Sequence, residues 1–274
     1  MKLNFNLRWK FITNNKSALY IHLPINNGNQ KILSLELSKN PKKLFKEKYY
    51  SYAKYITKKN IDIEAKVEAN IRRIDKYKDS NDVRFLVKEP KLLTSKTKKF
   101  VKGLSNVREI YDWIIENIGR PKVLKHYLKD LTKDDSDDLK MAVYKKKAMC
   151  GGKSLLFVSM CRNLGIPARI VSGYFMRDGW SWLKNSKLHS NWFDMHVWAE
   201  FYQRGWWVPV DVNIAQQTRN DYFGKFPKYT FKNKDIRLAV SKGSRFMIDK
   251  KVRYLLQTAH FDKGRNLRIS LVIK

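Results

Sequence analysis

Cys150 is followed by Gly151-Gly152 and then by a run with the apolar spacing of a helix, so its thiol stands at a helix N-terminus. A thiol there faces unpaired backbone N–H groups and the positive end of the helix dipole, and both favour thiolate over thiol. The same N–H groups can hold the oxyanion that forms when a thiolate attacks a carbonyl. A nucleophilic Cys needs a base, and the base needs an orienting group. His196 opens the stretch HVWAEFY and Asp211 closes WWVPVD, two strand-like segments joined at Arg204-Gly205. Antiparallel pairing of the two puts imidazole and carboxylate side by side on one face. Singly, a helix-opening Cys, a core His and a strand-end Asp are ordinary. In this order, Cys150, His196 and Asp211 specify a nucleophile, a base and an orienter. Cys161 lies about 16 Å further along the same helix at roughly 1.5 Å per residue. That is too far for a disulfide, so it is expected to be a small buried apolar residue.

The elements that must position these groups can be read from the hydrophobic periods. Val107, Ile110, Tyr111, Ile114 and Ile118 form a helical stripe that Asn106 can cap and that Gly119-Arg120-Pro121 stops. A second helix runs from 150 to 164 and ends at Gly165, and Ala168 to Phe175 reads as a strand. The acidic stretch from Asp130 to Asp138 is expected to be a solvated loop without a function. Residues 1–88 change period: LNFNLRWKF, ALYIHLPI, KILSLEL, YYSYAKYI and IDIEAKVEANIRRI are short strands spaced by turn residues. Ile61, Ile63, Ala65, Val67 and Ala69 share one face of the last, and the set suggests a small sandwich. The Lys-rich segment 89–105, with Pro90 and Gly103, reads as a linker, leaving 106–274 as the catalytic unit. The expected fold class is α+β, with the Cys-bearing helix packed on an antiparallel sheet behind a β-rich, sandwich-like domain.

Composition narrows the function. The chain has 274 residues, 43% hydrophobic and with 8 Trp, which excludes a disordered chain. Two Cys exclude a disulfide scaffold and a Cys-rich zinc module, so neither a metal nor another cofactor is expected. No apolar run is long enough for a spanning helix. Charges and Asn interrupt MKLNFNLRWKFITNN before a signal-type apolar region forms, so the expected location is cytoplasmic. The formal net charge is +32, and it is uneven: residues 1–105 carry +16, 106–220 only +6, and 221–274 +10. Such flanks attract polyanions without sequence preference. Motifs of specific nucleic-acid readers are missing, and abundant Lys beside Asn, Ile and Tyr is also a genome-wide bias.

The strings MCGGKSLLFVSMCRNLGIPARIVSGYF and HVWAEFYQRGWWVPVDVN resemble the transglutaminase-like core of bacteria and archaea. The resemblance rests on Leu164-Gly165-Ile166-Pro167-Ala168-Arg169, Val171-Ser172-Gly173-Tyr174, His196-x-Trp198-x-Glu200 and Trp207-x-Pro209-x-Asp211, in that order after Cys150. It covers 106–220 well and the remainder loosely. Ala148 stands where that family usually has Gly, and Val212-Asn213 where it has Pro-Thr. Arylamine acetyltransferases share the Cys-His-Asp order but fit these strings less well, and the missing paired-Cys site argues against glycan-releasing relatives that carry one. The resemblance implies a papain-like or transglutaminase-like thiol enzyme acting on peptide or carboxamide carbonyls of a protein or peptide substrate. Hydrolysis is the expected outcome, with a basic binding module as the alternative. Gly151 and Trp198 are expected at the substrate, and Trp180, Trp182 and Trp192, in an insertion from 176 to 195, are candidates for a groove wall.

Overall fold

The computed structural model describes residues 2–72, 75–79, 82, 85–86, 95–121, 136–177, 195–224, 235–243, 245–248, 251–254, 259–261 and 266–273. Six strands come first: β1 (Lys2–Ile12), β2 (Ser17–Leu23), β3 (Gln30–Leu37), β4 (Lys43–Lys46), β5 (Ser51–Thr57) and β6 (Ile61–Ile71). The helices α1 (Ser95–Phe100), α2 (Val107–Asn117), α3 (Ser136–Lys145) and α4 (Cys150–Asn163) follow. Strands β7 (Ala168–Arg177), β8 (Met195–Gln203) and β9 (Trp206–Val210) lead to the short helix α5 (Val212–Thr218). The chain closes with β10 (Asp235–Lys242), β11 (Arg245–Ile248), β12 (Lys251–Tyr254), β13 (Ala259–Phe261) and β14 (Asn266–Ile273).

Two four-stranded sheets, ordered β14-β1-β6-β3 and β13-β2-β5-β4, form the sandwich. Period two decides what enters its core: Phe5, Leu7, Trp9 and Phe11 of β1 face Leu19 and Ile21 of β2, and β6 adds Ile63, Ala65, Val67 and Ala69. Each Leu or Phe buried there stabilises the fold by about 1.5–3 kcal/mol. In β3 a bulge between Ile32 and Ser34 leaves Leu33 out of register and 40% exposed. It lets Ile32, Leu35 and Leu37 all pack inward. That explains an apolar pair, Ile32-Leu33, that strict alternation cannot place on one face.

Three features differ from the reading of the sequence. The sandwich takes one edge strand of each sheet, β13 and β14, from the far C-terminus, a stretch expected to belong to the second unit, and pairs them with β2 and β1. Part of the expected linker is α1, whose last residue Phe100 packs on the helical core with the following Val101 and whose Thr97 is fully buried. Part of the expected acidic loop is α3, where Leu139, Ala142 and Val143 are buried against α4. In all three the deciding contacts are made with other elements of the packed fold, which local composition does not encode.

The second unit is a four-stranded antiparallel sheet, β10-β7-β8-β9, with α4 laid on one face. Residues 151–162 of α4 are all buried, because α1, α2, α3 and α5 surround what the sheet leaves open. Asn106 caps α2 by accepting from the Glu109 N–H, and Val107, Ile110, Tyr111 and Ile114 are its buried face. The β8–β9 turn places Arg204 and Gly205 at φ 49° and 85°, the paired positive values of a type I′ hairpin. Gly173 in β7 has a different reason. A Cβ there would lie 2.2 Å from the Leu238 carbonyl oxygen, so only glycine lets β10 pair at this point.

Sandwich and sheet are joined along β10. The Ile25 N–H donates to the Ala239 carbonyl, and the Lys242 N–H donates to Tyr49. Between them the Gln30 side chain behaves like a strand residue: its Nε2 donates to the Ala239 carbonyl at 3.0 Å, and its Oε1 accepts from the Ala239 N–H at 2.8 Å. Tyr174, Leu238 and Val240 then enter the sandwich core.

Candidate active site

Cys150 is the first residue of α4 and is partly exposed. The preceding N-cap residue, Met149, makes no side-chain capping bond. The helix therefore opens without a capping side chain at the point where the thiol sits. Cys161, on the same helix, is completely buried, and burial pushes its thiol well above the ordinary cysteine range. One thiol faces outward at a dipole end and the other is sealed in the core.

His196 lies near the start of β8, opposite Gly173 of β7. Asp211 follows β9 directly. Because Ala199 pairs with Val210, the next residue, Asp211, falls beside Trp198, one pleat from His196. The tight hairpin thus delivers both side chains to one place, and His196 Nε2 lies 2.7 Å from Asp211 Oδ2. Asp211 also caps α5, its Oδ1 accepting from the Ile214 N–H at 3.0 Å. One carboxylate oxygen holds the imidazole and the other holds a helix, which fixes the carboxylate plane.

Burial alone would lower the His196 pKa. The charge and hydrogen bond of Asp211, with a further contribution from the Cys150 side chain, instead raise it to about 9. Burial would raise Asp211, yet the charges of His196 and Arg237 hold it at about 2. The imidazolium is therefore the favoured form between a carboxylate and a sulfur. With Nε2 on Asp211, Nδ1 is the ring nitrogen left for the thiol.

Arg237, on β10, donates from Nη2 to Asp211 Oδ2 at 2.6 Å. Sequence reasoning missed it. The alternation of DIRLAVSK was a readable strand signal, but one Arg among 57 basic residues carries no mark of burial. Trp198, expected at the substrate, is 2% exposed; its ring lies 6.3 Å from that of His196 at 21°, and Arg237 sits 5.3 Å from its centroid. Its position two residues on along β8 puts it on the same face of the strand as His196. Gly151 is the second residue of α4 and is buried. Trp180, Trp182 and Trp192 lie outside the described residues. Among the described residues no group of three or more His, Cys, Asp or Glu could hold a metal, and no helix is long and apolar enough to cross a membrane.

At the other end of the same sheet, Glu200 of β8 is saturated. It accepts from the Tyr77 hydroxyl at 2.6 Å and from Arg169 Nε at 2.9 Å. Arg169 is fully buried, stacks 3.8 Å from the centroid of Trp207 and also reaches Asp79, which Lys242 contacts. Tyr77 exchanges both backbone hydrogen bonds with Trp207 and so covers the edge strand β9. These residues brace the sheet that carries His196.

Residues 91–212 match the Transglutaminase-like superfamily. The fold is similar to that of a candidate cysteine protease from Cytophaga hutchinsonii, at 14% identity with a TM-score of 0.63 over 100% of this chain and 91% of that one. The periplasmic domain of TgpA from Pseudomonas aeruginosa is more distant, at 12% identity and a TM-score of 0.35 over 79% of this chain and 89% of that one. No curated protein matches the sequence. The segment that is similar to the transglutaminase-like superfamily, residues 91–212, holds Cys150, His196 and Asp211.

Proposed function

We propose that the chain is a thiol hydrolase acting on peptide or glutamine carboxamide carbonyls, with Cys150 as nucleophile, His196 as acid and base, and Asp211 as orienter. The observation that carries this reading is the buried imidazole held by Asp211 and coupled to a partly exposed, helix-terminal thiol. The Cys150 sulfur attacks the carbonyl carbon, and the oxyanion is held by N–H groups at the start of α4, Gly151 included. The imidazolium gives its proton to the departing amine or ammonia as the C–N bond breaks, leaving a thioester. His196 then takes a proton from water, whose oxygen attacks the thioester carbon and releases the acid and the thiolate. An amine in place of water gives transfer instead. Hydrolysis is favoured because water is the most abundant acceptor at a partly exposed site. Asp211 holds the imidazole in one tautomer and stabilises its charged form, and Arg237 fixes Asp211 in turn.

Incubation with glutamine-containing peptides, read by mass spectrometry for cleavage, for deamidation and for coupling to an added primary amine, separates the outcomes. Expected are product from the wild type and none from Cys150→Ala. Undiminished product from Cys150→Ala overturns the reading.

A further inference from the structure

One helical turn beyond Cys150 on α4 lies Lys153, which is 1% exposed. Residues three apart on a helix share a face, so its chain follows the side on which the nucleophile projects. A buried lysine needs a reason. Its Nζ contacts Gln216 Oε1 on α5. The Gln216 amide has no freedom to turn, because its Nε2 donates to the carbonyls of Ile115 at 2.9 Å and Ile118 at 3.0 Å. The carbonyl end of that amide is therefore aimed at Lys153 by the C-terminal end of α2. Three helices converge to hold one ammonium beneath the start of α4.

We propose that Lys153 is a positioning residue for the nucleophile, a buried cation anchored by Gln216 whose charge favours the negative charge that the Cys150 sulfur carries when it attacks. The inference rests on the thiol-enzyme reading above and names a member of that site outside the Cys-His-Asp set. At 1% exposure Lys153 is closed to substrate and to acylation, which leaves its field as its means of action. Burial lowers its pKa to about 8, with the charges of Cys150 and Asp211 favouring the ammonium and that of Arg120 opposing it. The ammonium is therefore the main form at neutral pH and fades above it. Gln216, being neutral, anchors the cation without cancelling its charge.

The test is the rate of Cys150 alkylation by iodoacetamide as a function of pH, followed by mass-spectrometric site mapping, in wild type, Lys153→Met and Lys153→Arg. Expected is a shift of the acid limb to higher pH in Lys153→Met, with the rate at pH 6 falling roughly three- to tenfold and the rate above pH 9 little changed. Lys153→Arg, which keeps the charge, should stay near wild type. If Lys153→Met does not fold, Lys153→Gln, which can still donate to Gln216, carries the same expectation. Superimposed wild-type and neutral-variant profiles overturn the inference alone. A wild-type Cys150 that labels no faster than Cys161 overturns the triad reading and this inference with it.

Discussion

The two ends of the β10-β7-β8-β9 sheet use the same groups to opposite effect. Each end buries a carboxylate of one hairpin, Asp211 or Glu200, against an arginine from another strand of the sheet, Arg237 or Arg169. At the Glu200 end a tyrosine hydroxyl and the guanidinium fill the carboxylate, and Trp207 and Phe85 close over the arginine. At the Asp211 end the third partner is a histidine, whose ring lies between the carboxylate and a partly exposed thiol. A buried carboxylate–arginine pair is thus a brace when all its partners are permanent. On the proposed mechanism it moves protons when one partner can titrate and lies beside a partly exposed thiol.

The sharpest way to break this comparison is to remove groups at one end and look for the signature of the other. Cys150→Ala should abolish turnover. His196→Ala and Asp211→Ala should lower it by roughly 10²–10⁴-fold, the size of losing a general base or its support. Thermal unfolding should show all three still folded. Wild-type-like rates in any of them would take that residue out of the proposed mechanism.

Glu200→Ala should behave in the opposite way. It takes from the fully buried Arg169 its buried carboxylate, leaving the more exposed Asp79 as its acidic partner. Breaking a buried pair costs about 3–5 kcal/mol, and denaturant unfolding should register a loss approaching that order. Cys150 in the molecules that remain folded should still alkylate at close to the wild-type rate. A stable Glu200→Ala protein with a slowed thiol would mean that the two ends have been assigned the wrong way round.

The pH dependence sharpens the contrast further. His196 has its pKa raised from 6.5 to about 9 in the fold, so its contribution to stability is complete below pH 6.5 and disappears as the pH rises through about 9. Asp211, held at about 2, contributes above pH 3.8 and fails only as the pH falls through about 2. The wild type should therefore exceed His196→Gln in stability by on the order of 3 kcal/mol near pH 6, with the two converging above pH 9. A gap that is constant from pH 6 to 10 would show that the ring is held as a neutral group.

The smallest effect concerns the charge. Its excess lies in residues 1–105 and 221–274, away from the segment that holds the triad. Retention on heparin should fall steeply as salt rises. Alkylation of Cys150 by neutral iodoacetamide should change by less than about twofold, because a neutral reagent gains nothing from steering. A labelling rate that collapses together with retention would couple the basic flanks to the thiol.

What the sequence made legible follows from range. Cys150, His196 and Asp211 stood out because each lies at the end of an element whose period is readable, and because the hairpin joining the last two is closed by two residues. The strands of the sandwich were legible for the same local reason. Arg237, Lys153 and the Tyr77–Glu200 contact were not, since their meaning arises only when strands and helices far apart in the chain pack together. Nor does composition announce that β13 and β14 return to the first sheet, or that Leu33 sits at a bulge. The lysine and arginine excess hides the few basic side chains that are buried.

One consequence concerns modularity. A glutamine side chain that substitutes for a peptide unit, as Gln30 does at Ala239, makes the seam between sandwich and sheet part of a hydrogen-bonded ladder. The strand it completes is β10, the one that carries Arg237 to Asp211. Severing the first seventy residues would therefore open an unsatisfied edge two residues from the group that anchors the carboxylate. The segment 91–212 is therefore not expected to work as a cassette that can be lifted out and fused elsewhere. Recombination or engineering that keeps the core must also keep Gln30 and the turn that presents it.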